Sequence, residues 1–267
     1  MIPYPKIDSE IIRIGPFAVR WYGMMYLIGF ASSYLLVRFQ IKKFGVKSSE
    51  LKNDKHSKLK TLDVDSLYFY LILGLLTGAR LGYIVFYNLA YYAKHPLEIF
   101  AVWQGGMSFH GGLIGSILAG LLFCRKFKLD FWQIADIVIV TAPIGLGLGR
   151  IGNFINGELY GRITDVPWAM VFLSGGPFPR HPSQLYEFFL EGVVLFPILW
   201  LLKDRGFRPG VLSAIFIMLY GIFRFIAEFF REPDAQIGYI SGFITMGQIL
   251  SAAMVFLGLG IIYIRRL

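Results

Sequence analysis

Residues 149–162 read GRIGNFINGELYGR and follow directly on the apolar run FWQIADIVIVTAPIGLGLG. Two arginines, two asparagines, a glutamate and four glycines stand where a hydrophobic helix should simply end. A helix end needs a cap, not five hydrogen-bonding side chains in one place. A second polar set lies in LYGIFRFIAEFFREPD, where Tyr220, Arg224 and Glu228 recur every four residues and so share one helix face. Arg150 and Arg224, beside amide side chains, have the makings of a phosphate clamp, because a guanidinium offers bidentate geometry to phosphate oxygens. The plainer alternative is internal pairing, with Arg224 and Glu228, four apart, doing no more than holding helices in register. His110 sits in WQGGMSFHGGLIGSILAG, flanked by Gly105, Gly106, Gly111, Gly112 and Gly115. Those glycines either let helix backbones pack closely or leave room beside the imidazole for a substrate.

The elements that must position these groups are membrane spans. The 267 residues are 56% hydrophobic and only 16% charged, whereas soluble domains carry about 25% charged residues. A spanning helix needs roughly 20 mostly apolar residues. Seven stretches qualify, at about 17–37, 66–87, 107–123, 131–149, 184–202, 210–230 and 243–264. The expected fold is therefore an all-α integral membrane protein of seven transmembrane helices. It forms one polytopic domain over residues 1–267, with a small extracytoplasmic head at about 150–182. The N-terminal MIPYPKIDSEIIRIGPFAV lacks the order of a signal peptide, so the first span is expected to stay.

The net charge of +9 is chiefly a topology signal. Sixteen of the 26 Lys/Arg fall at residues 38–65, at Arg125, Lys126 and Lys128, at Lys203, Arg205 and Arg208, and at Arg265 and Arg266. These are alternate connections, so the positive-inside rule puts the N-terminus outside and the C-terminus in the cytoplasm. The segment SSELKNDKHSKLKTLD is expected to be a solvated, mobile connection, and no nucleic-acid partner is implied. Of the other ten cations, Lys6, Arg13, Lys94, Arg162, Arg180 and Arg231 are assigned to outer loops or their edges. Arg20, Arg80, Arg150 and Arg224 lie within or at the ends of spans, opposite Asp136, Glu187, Glu191 and Glu228. Ionisable residues there normally face the bundle interior. Snorkelling to the interface accounts for Arg20, and for Arg80 if the second span tilts.

Several chemistries are excluded. Cys124 is the single cysteine, so a disulfide or cysteine metal site within one chain is impossible. No HExxH and no paired histidine spacing points to a metal. GLGLGRIG has no βαβ context for a nucleotide, and there is no GxSxG or persuasive Ser/His/Asp set. His56 and His95 read as solvated loop residues. His181, in RHPSQLYE, stands beside the helix-start residues Pro182 and Ser183.

Four motifs in this order, GGMSFHGGLIG (105–115), GRIGNFINGELYGR (149–162), RHPSQLYE (180–187) and YGIFRFIAEFFREPD (220–234), resemble those of the prolipoprotein diacylglyceryl transferases. The resemblance runs from WYGMMYLIGF to MGQILS, nearly the whole chain. It implies transfer of the sn-1,2-diacylglyceryl group of phosphatidylglycerol to the thiol of the lipobox cysteine of a prolipoprotein signal peptide. A thioether forms, glycerol phosphate leaves, and no cofactor, metal or nucleotide is used. The setting implied is the bacterial inner membrane, with the active site toward the extracytoplasmic face, in the first step of lipoprotein maturation.

By motif, Arg150, Asn153, Asn156, Glu158 and Gly161 match the signature segment, with Arg150 as the phospholipid-binding arginine. His110 matches the histidine proposed as base, Tyr22 the essential tyrosine of the first span, and Tyr220, Arg224 and Glu228 the functional stripe of the sixth. The outer segment between Trp168 and Arg180 is shorter than in some relatives. The catalytic expectation rests on His110, Arg150 and Arg224. Fixed guanidiniums in a water-poor site would stabilise the charge that builds on the leaving phosphate, and imidazole can take a thiol's proton. Asn153 and Asn156 are expected to share a helical face and Glu158 to orient an arginine. Lipid is expected to enter sideways between spans. The rival readings are a transporter or flippase for an anionic lipid, for which no inverted repeat is visible, and a structural or receptor-like seven-span protein.

Overall fold

The computed structural model describes residues 2–5, 7–15, 17–50, 62–102, 105–233, 238–240 and 242–266. Nine helices are described: α1 Trp21–Glu50, α2 Val64–Tyr87, α3 Leu89–Lys94, α4 Phe109–Phe127, α5 Phe131–Ile139, α6 Ala142–Asn156, α7 Ser183–Leu202, α8 Val211–Glu228 and α9 Met246–Arg266. Two short antiparallel hairpins accompany them, β1 Glu10–Ile14 with β2 Phe17–Arg20, and β3 Tyr239–Ile240 with β4 Ile244–Thr245. Helix α1 carries on to Glu50, so part of the expected solvated connection is helical, and residues 51–61 of it, His56 included, lie outside the described residues.

Five of the helices are long and apolar enough to cross a membrane, and a sixth crossing arises if α5 and α6, bent by 44°, count as one. Helix α4, the third expected span, forms with 19 residues but falls short on apolarity. His110, four glycines and the Arg125–Lys126 pair dilute its Leu and Ile.

The chain divides into two compact units, Met1–Val37 with Asp136–Leu267, and Arg38–Ala135. In the smaller unit, α2 and α4 meet along small residues. Gly74, Gly78 and Gly82 repeat every four positions and face Gly111 and Gly115; a Cβ on Gly82 would stand 2.8 Å from the Gly111 Cα. Glycine spacing of this kind lets helices dock by backbone contact where lipid removes the hydrophobic drive. Arg80 does not snorkel. It is buried, donating to the carbonyls of Glu98 (2.6 Å), Ile99 (2.9 Å), Gly105 (2.6 Å) and Gly106 (3.2 Å), and lies over the Tyr92 ring. One guanidinium thus serves four loop carbonyls, of which only that of Glu98 also accepts from a backbone N–H, that of Ala101, among the described residues.

In the larger unit, α8 begins at Gly210 in the left-handed region, and Asp136 of α5 supplies the cap from outside the helix. Its carboxylate accepts from Gly210 N (2.7 Å), Ser213 N (2.8 Å) and Ser213 Oγ (2.6 Å). Helix α6 stops at Gly157, whose φ of +66° is the left-handed conformation that ends helices. Residues 157–182, the segment expected to form the head, hold no α-helix, only a 3-10 turn at Leu173–Gly175, and carry the isolated β-bridges Gly161–Arg231, Ile163–Arg180 and Met170–Arg180. The core beneath is Val140, Leu195, Leu199, Leu212 and Phe216.

Candidate active site

Helix α7 brings the site together. Its middle, Phe188–Val194, is wound as a π-helix, a form that recurs at functional sites because it re-aims side chains at a cost in hydrogen bonding. At its Gly192 the helix touches α6: a Cβ there would stand 3.0 Å from the Gly147 Cα. Contact that close places Arg150, three residues beyond Gly147, over the two glutamates of α7. Arg150 Nε lies 2.8 Å from Glu187 Oε2 and 3.4 Å from Glu191 Oε2.

Arg224 of α8 reaches the same Glu187 Oε2 at 3.1 Å and Glu228 Oε2 at 2.8 Å. Arg231 closes the group, with Nη1 3.1 Å from Glu187 Oε1 and Nε 3.4 Å from Glu228 Oε2. Arg231, assigned to an outer loop or its edge, lies three residues beyond the end of α8 and is buried, with 9% of its surface exposed. Three arginines and three glutamates balance in charge, which is what allows six ionisable groups to be buried together.

The pairing is close but imperfect. Glu187 Oε2, Glu228 Oε2, Arg224 Nη1 and Arg231 Nε are buried without a well-aligned hydrogen bond, despite their short charge contacts. Unsatisfied donors of this kind are rare; here Arg224 Nη1 and Arg231 Nε face carboxylate oxygens at 3.1 and 3.4 Å without good alignment. Glu228 is enclosed from every side. The Thr245 hydroxyl donates to its Oε1 at 3.3 Å, and a Cβ on Gly247 would stand 2.6 Å from its carboxyl carbon. Glu228, expected to bind substrate, is thus placed to hold Arg224 and Arg231. Tyr220, one turn earlier on α8, stacks on Phe216 and lies within electrostatic reach of Arg150 and Glu191.

The signature segment forms a second, adjoining group. Asn153 and Asn156 do share a face, and both donate to Glu158 Oε1, at 2.9 and 3.2 Å. Glu158 therefore binds these two amides where an arginine was expected. Its backbone carbonyl accepts from Gln184 of α7 at 2.7 Å. Gly161 is pressed against His181, a Cβ there standing 2.7 Å from the His181 Cβ, so no larger residue fits. Arg162 donates to the carbonyls of Glu228 (3.1 Å) and Arg231 (2.7 Å), closing the C-terminal end of α8. Tyr22, at the start of α1, packs on Gly152 and its hydroxyl lies 3.3 Å from that of Tyr26. A cavity of about 360 Å³ is lined by Glu158, Tyr160, Ser174, Arg231 and Glu232, so that of the ionic cluster it touches Arg231.

His110 stands in the other unit, exposed in the first turn of α4, and its ring makes an edge contact with Phe109. The glycines that follow it, Gly111 and Gly115, are taken up by packing against α2. The sequence reading named Glu187 and Glu191 only as acids opposite the arginines. It did not see that Glu187 meets all three, because that depends on α6, α7 and α8 converging. Among the described residues no group of His, Cys, Asp and Glu could hold a metal ion.

Comparison with known proteins adds the following. Residues 9–264 match the family model of prolipoprotein diacylglyceryl transferase. The chain is 54% identical over 261 residues to the phosphatidylglycerol–prolipoprotein diacylglyceryl transferase of Desulfotalea psychrophila, covering 96% of this chain and 92% of that one. It is 54% identical to the protein of the same name from Geobacter sulfurreducens (96% and 94% covered) and 52% identical to that of Bordetella parapertussis (98% and 96%).

Proposed function

The chain belongs to the prolipoprotein diacylglyceryl transferase family, and from that premise we propose how its residues carry the transfer. It is a transferase of several apolar membrane helices that moves the diacylglyceryl group of phosphatidylglycerol to a prolipoprotein. The acceptor is the thiol of the lipobox cysteine. A sulfur–carbon bond forms at the glyceryl carbon, the carbon–oxygen bond to phosphate breaks, and the electron pair stays on the phosphate oxygen. Glycerol phosphate leaves, and the thiol's proton passes to a base or to the phosphate.

The observation that carries this reading is the buried ionic cluster of three arginines and three glutamates, in which the arginines are its more exposed members. Arg150 and Arg224 keep 18% and 16% of their side chains exposed while their carboxylate partners keep 6% or less. The arginines thus form the accessible surface of the cluster and the glutamates its floor. The phosphate of the lipid binds Arg150 and Arg224, with Arg231 behind them. Charge that builds on the leaving oxygen meets donors already in place, and preorganisation of that kind typically contributes about 10²–10³-fold per donor. Asn153 and Asn156, tied to Glu158, and Tyr22 and Tyr220 line the lipid site. His110, exposed and without a hydrogen-bond partner among the described residues, is the candidate base.

Seven crossings follow if α4 counts beside the five apolar helices and the bent α5–α6 pair. Its 19 residues rise about 28 Å, close to the ~30 Å hydrocarbon core. The N-terminus then faces outside, the C-terminus the cytoplasm, and the head and cluster the extracytoplasmic side of the bacterial inner membrane. An impermeant thiol label should reach a cysteine introduced in the head of intact cells; labelling only after lysis would reverse the orientation.

The activity test supplies purified protein with labelled phosphatidylglycerol and a lipobox peptide, following lipid–peptide adduct and glycerol phosphate together. Wild type should yield both, and Arg150→Ala should lower both by about 10²–10³-fold. A folded, lipid-supplied wild type that makes no adduct would overturn the reading.

A further inference from the structure

The six charged residues of the cluster are not equally tied. Glu187 is engaged through both oxygens by three arginines at 2.8–3.1 Å. Glu228 is held by Arg224 at 2.8 Å, by Arg231 at 3.4 Å and by the Thr245 hydroxyl at 3.3 Å. Among the described residues Glu191 makes its ion pair with Arg150, through one oxygen, Oε2, which stands 3.4 Å from Nε and 3.5 Å from Nη2. Its other oxygen, Oε1, is buried and has no hydrogen-bond partner, in a residue with 0% exposure. A buried acceptor without a donor is costly, and leucine would suit this apolar helix better. Packing alone does not account for a glutamate here.

Charge does. Arg150, Arg224 and Arg231 with Glu187 and Glu228 sum to +1, and ionised Glu191 brings the cluster to zero. A phosphodiester, at −1, matches the five-residue set. The phosphate monoester that leaves after transfer carries roughly −1.5 to −2 near neutral pH. Ionised Glu191 therefore opposes the product more strongly than it opposes the lipid. Its loose contact also means that Arg150 can give it up to a phosphate oxygen and return to it afterwards.

We propose that Glu191 is a positioning residue for product release: it holds Arg150 between turnovers, yields it to the lipid phosphate, and its charge expels glycerol phosphate. It makes and breaks no covalent bond. The inference rests on the reading that Arg150 binds the lipid phosphate.

The test is product inhibition in the purified enzyme, with labelled phosphatidylglycerol, a lipobox peptide and added glycerol phosphate. Glu191→Gln keeps the size and removes the charge. It should be inhibited at about tenfold lower glycerol phosphate than wild type, with a smaller fall in KM for phosphatidylglycerol. Glu191→Asp keeps the charge and should keep wild-type inhibition. Should Glu191→Gln fail to fold, Glu191→Leu replaces it with the same expected shift. Inhibition that is unchanged or weaker in the uncharged variant overturns the proposal, as does an aspartate variant that behaves like glutamine. A merely structural glutamate would weaken product binding along with everything else. If Arg150→Ala leaves glycerol phosphate inhibition as it was, the phosphate reading itself falls and takes this inference with it.

Discussion

A guanidinium buried among carboxylates is held by charge, and its chemistry depends on which of its N–H groups are spent. Arg150 spends Nε on Glu187 and Glu191 and Nη2 on Glu191, and keeps part of its surface exposed. It can therefore be neutralised in the empty site and still meet a phosphate. Glu187 is the residue on which this rests, since all three arginines converge on it. Removing one partner of a buried ionic group typically costs about 3–5 kcal/mol, because the remaining charges are left uncompensated. Glu187→Ala should lower stability by that order and abolish transfer, read by thermal unfolding in detergent beside the adduct assay. His110 carries the opposite expectation. Exposed and unpaired, it contributes little to folding, so His110→Gln should unfold like wild type while losing about 10²–10⁴-fold in turnover. Near-normal turnover in that variant would remove the imidazole from the mechanism.

Helix by helix, the chain uses glycine wherever two backbones must meet. The α2–α4 contact and the α6–α7 crossing are built in this way, and the second carries Arg150 and its glutamates. Gly147 and Gly192 set the distance from Arg150 to its glutamates, and the π-helical Phe188–Val194 turns Glu191 toward Arg150. Leucine at 192 must push the helices apart, since even a Cβ would stand 3.0 Å from a backbone carbon. Overpacking of this kind costs about 1–3 kcal/mol. Gly192→Leu should lower the unfolding temperature and lose most transfer activity, whereas a variant of unchanged activity would mean that the crossing does not set the arginine's position. Asp136 shows another economy: it was counted among the acids opposite the arginines, yet it caps α8. The first N–H groups of a helix have no partner within it, and here a carboxylate from a neighbouring helix accepts from two of them.

For the molecule as a whole, the head adds a dependence on pH. His181 Nδ1 stands 3.1 Å from the Tyr186 hydroxyl, with Phe230 against its ring. Burial, and then the Arg162 charge, hold its imidazole below the ordinary histidine range. The unfolded chain, with an ordinary value of ~6.5, then binds the proton more readily than the folded one. The stability this residue contributes is complete above that value and is lost as pH falls from there through the lowered folded value. The unfolding temperature of wild type should drop as pH falls through that window, and His181→Gln should show a flatter profile. Equal slopes in the two proteins would mean that other groups govern acid stability.

Hydropathy and charge order alone determined that this is a helical membrane protein, because a bilayer demands long apolar segments and biases basic residues to one side. They also marked Arg150, Arg224, Asn153, Asn156 and Glu158 as chemistry out of place, since polar residues in apolar helices need a reason. Motif spacing tied those residues to one family. What the sequence could not decide was pairing. That Glu187 serves three arginines, that Glu158 takes two amides in place of an arginine, and that Arg231 is buried all depend on which helices touch. So does the difference between Glu187 and Glu191, two carboxylates four residues apart on one helix. Periodicity puts both on one face, but only the crossing at Gly147 and Gly192 decides how tightly each is held.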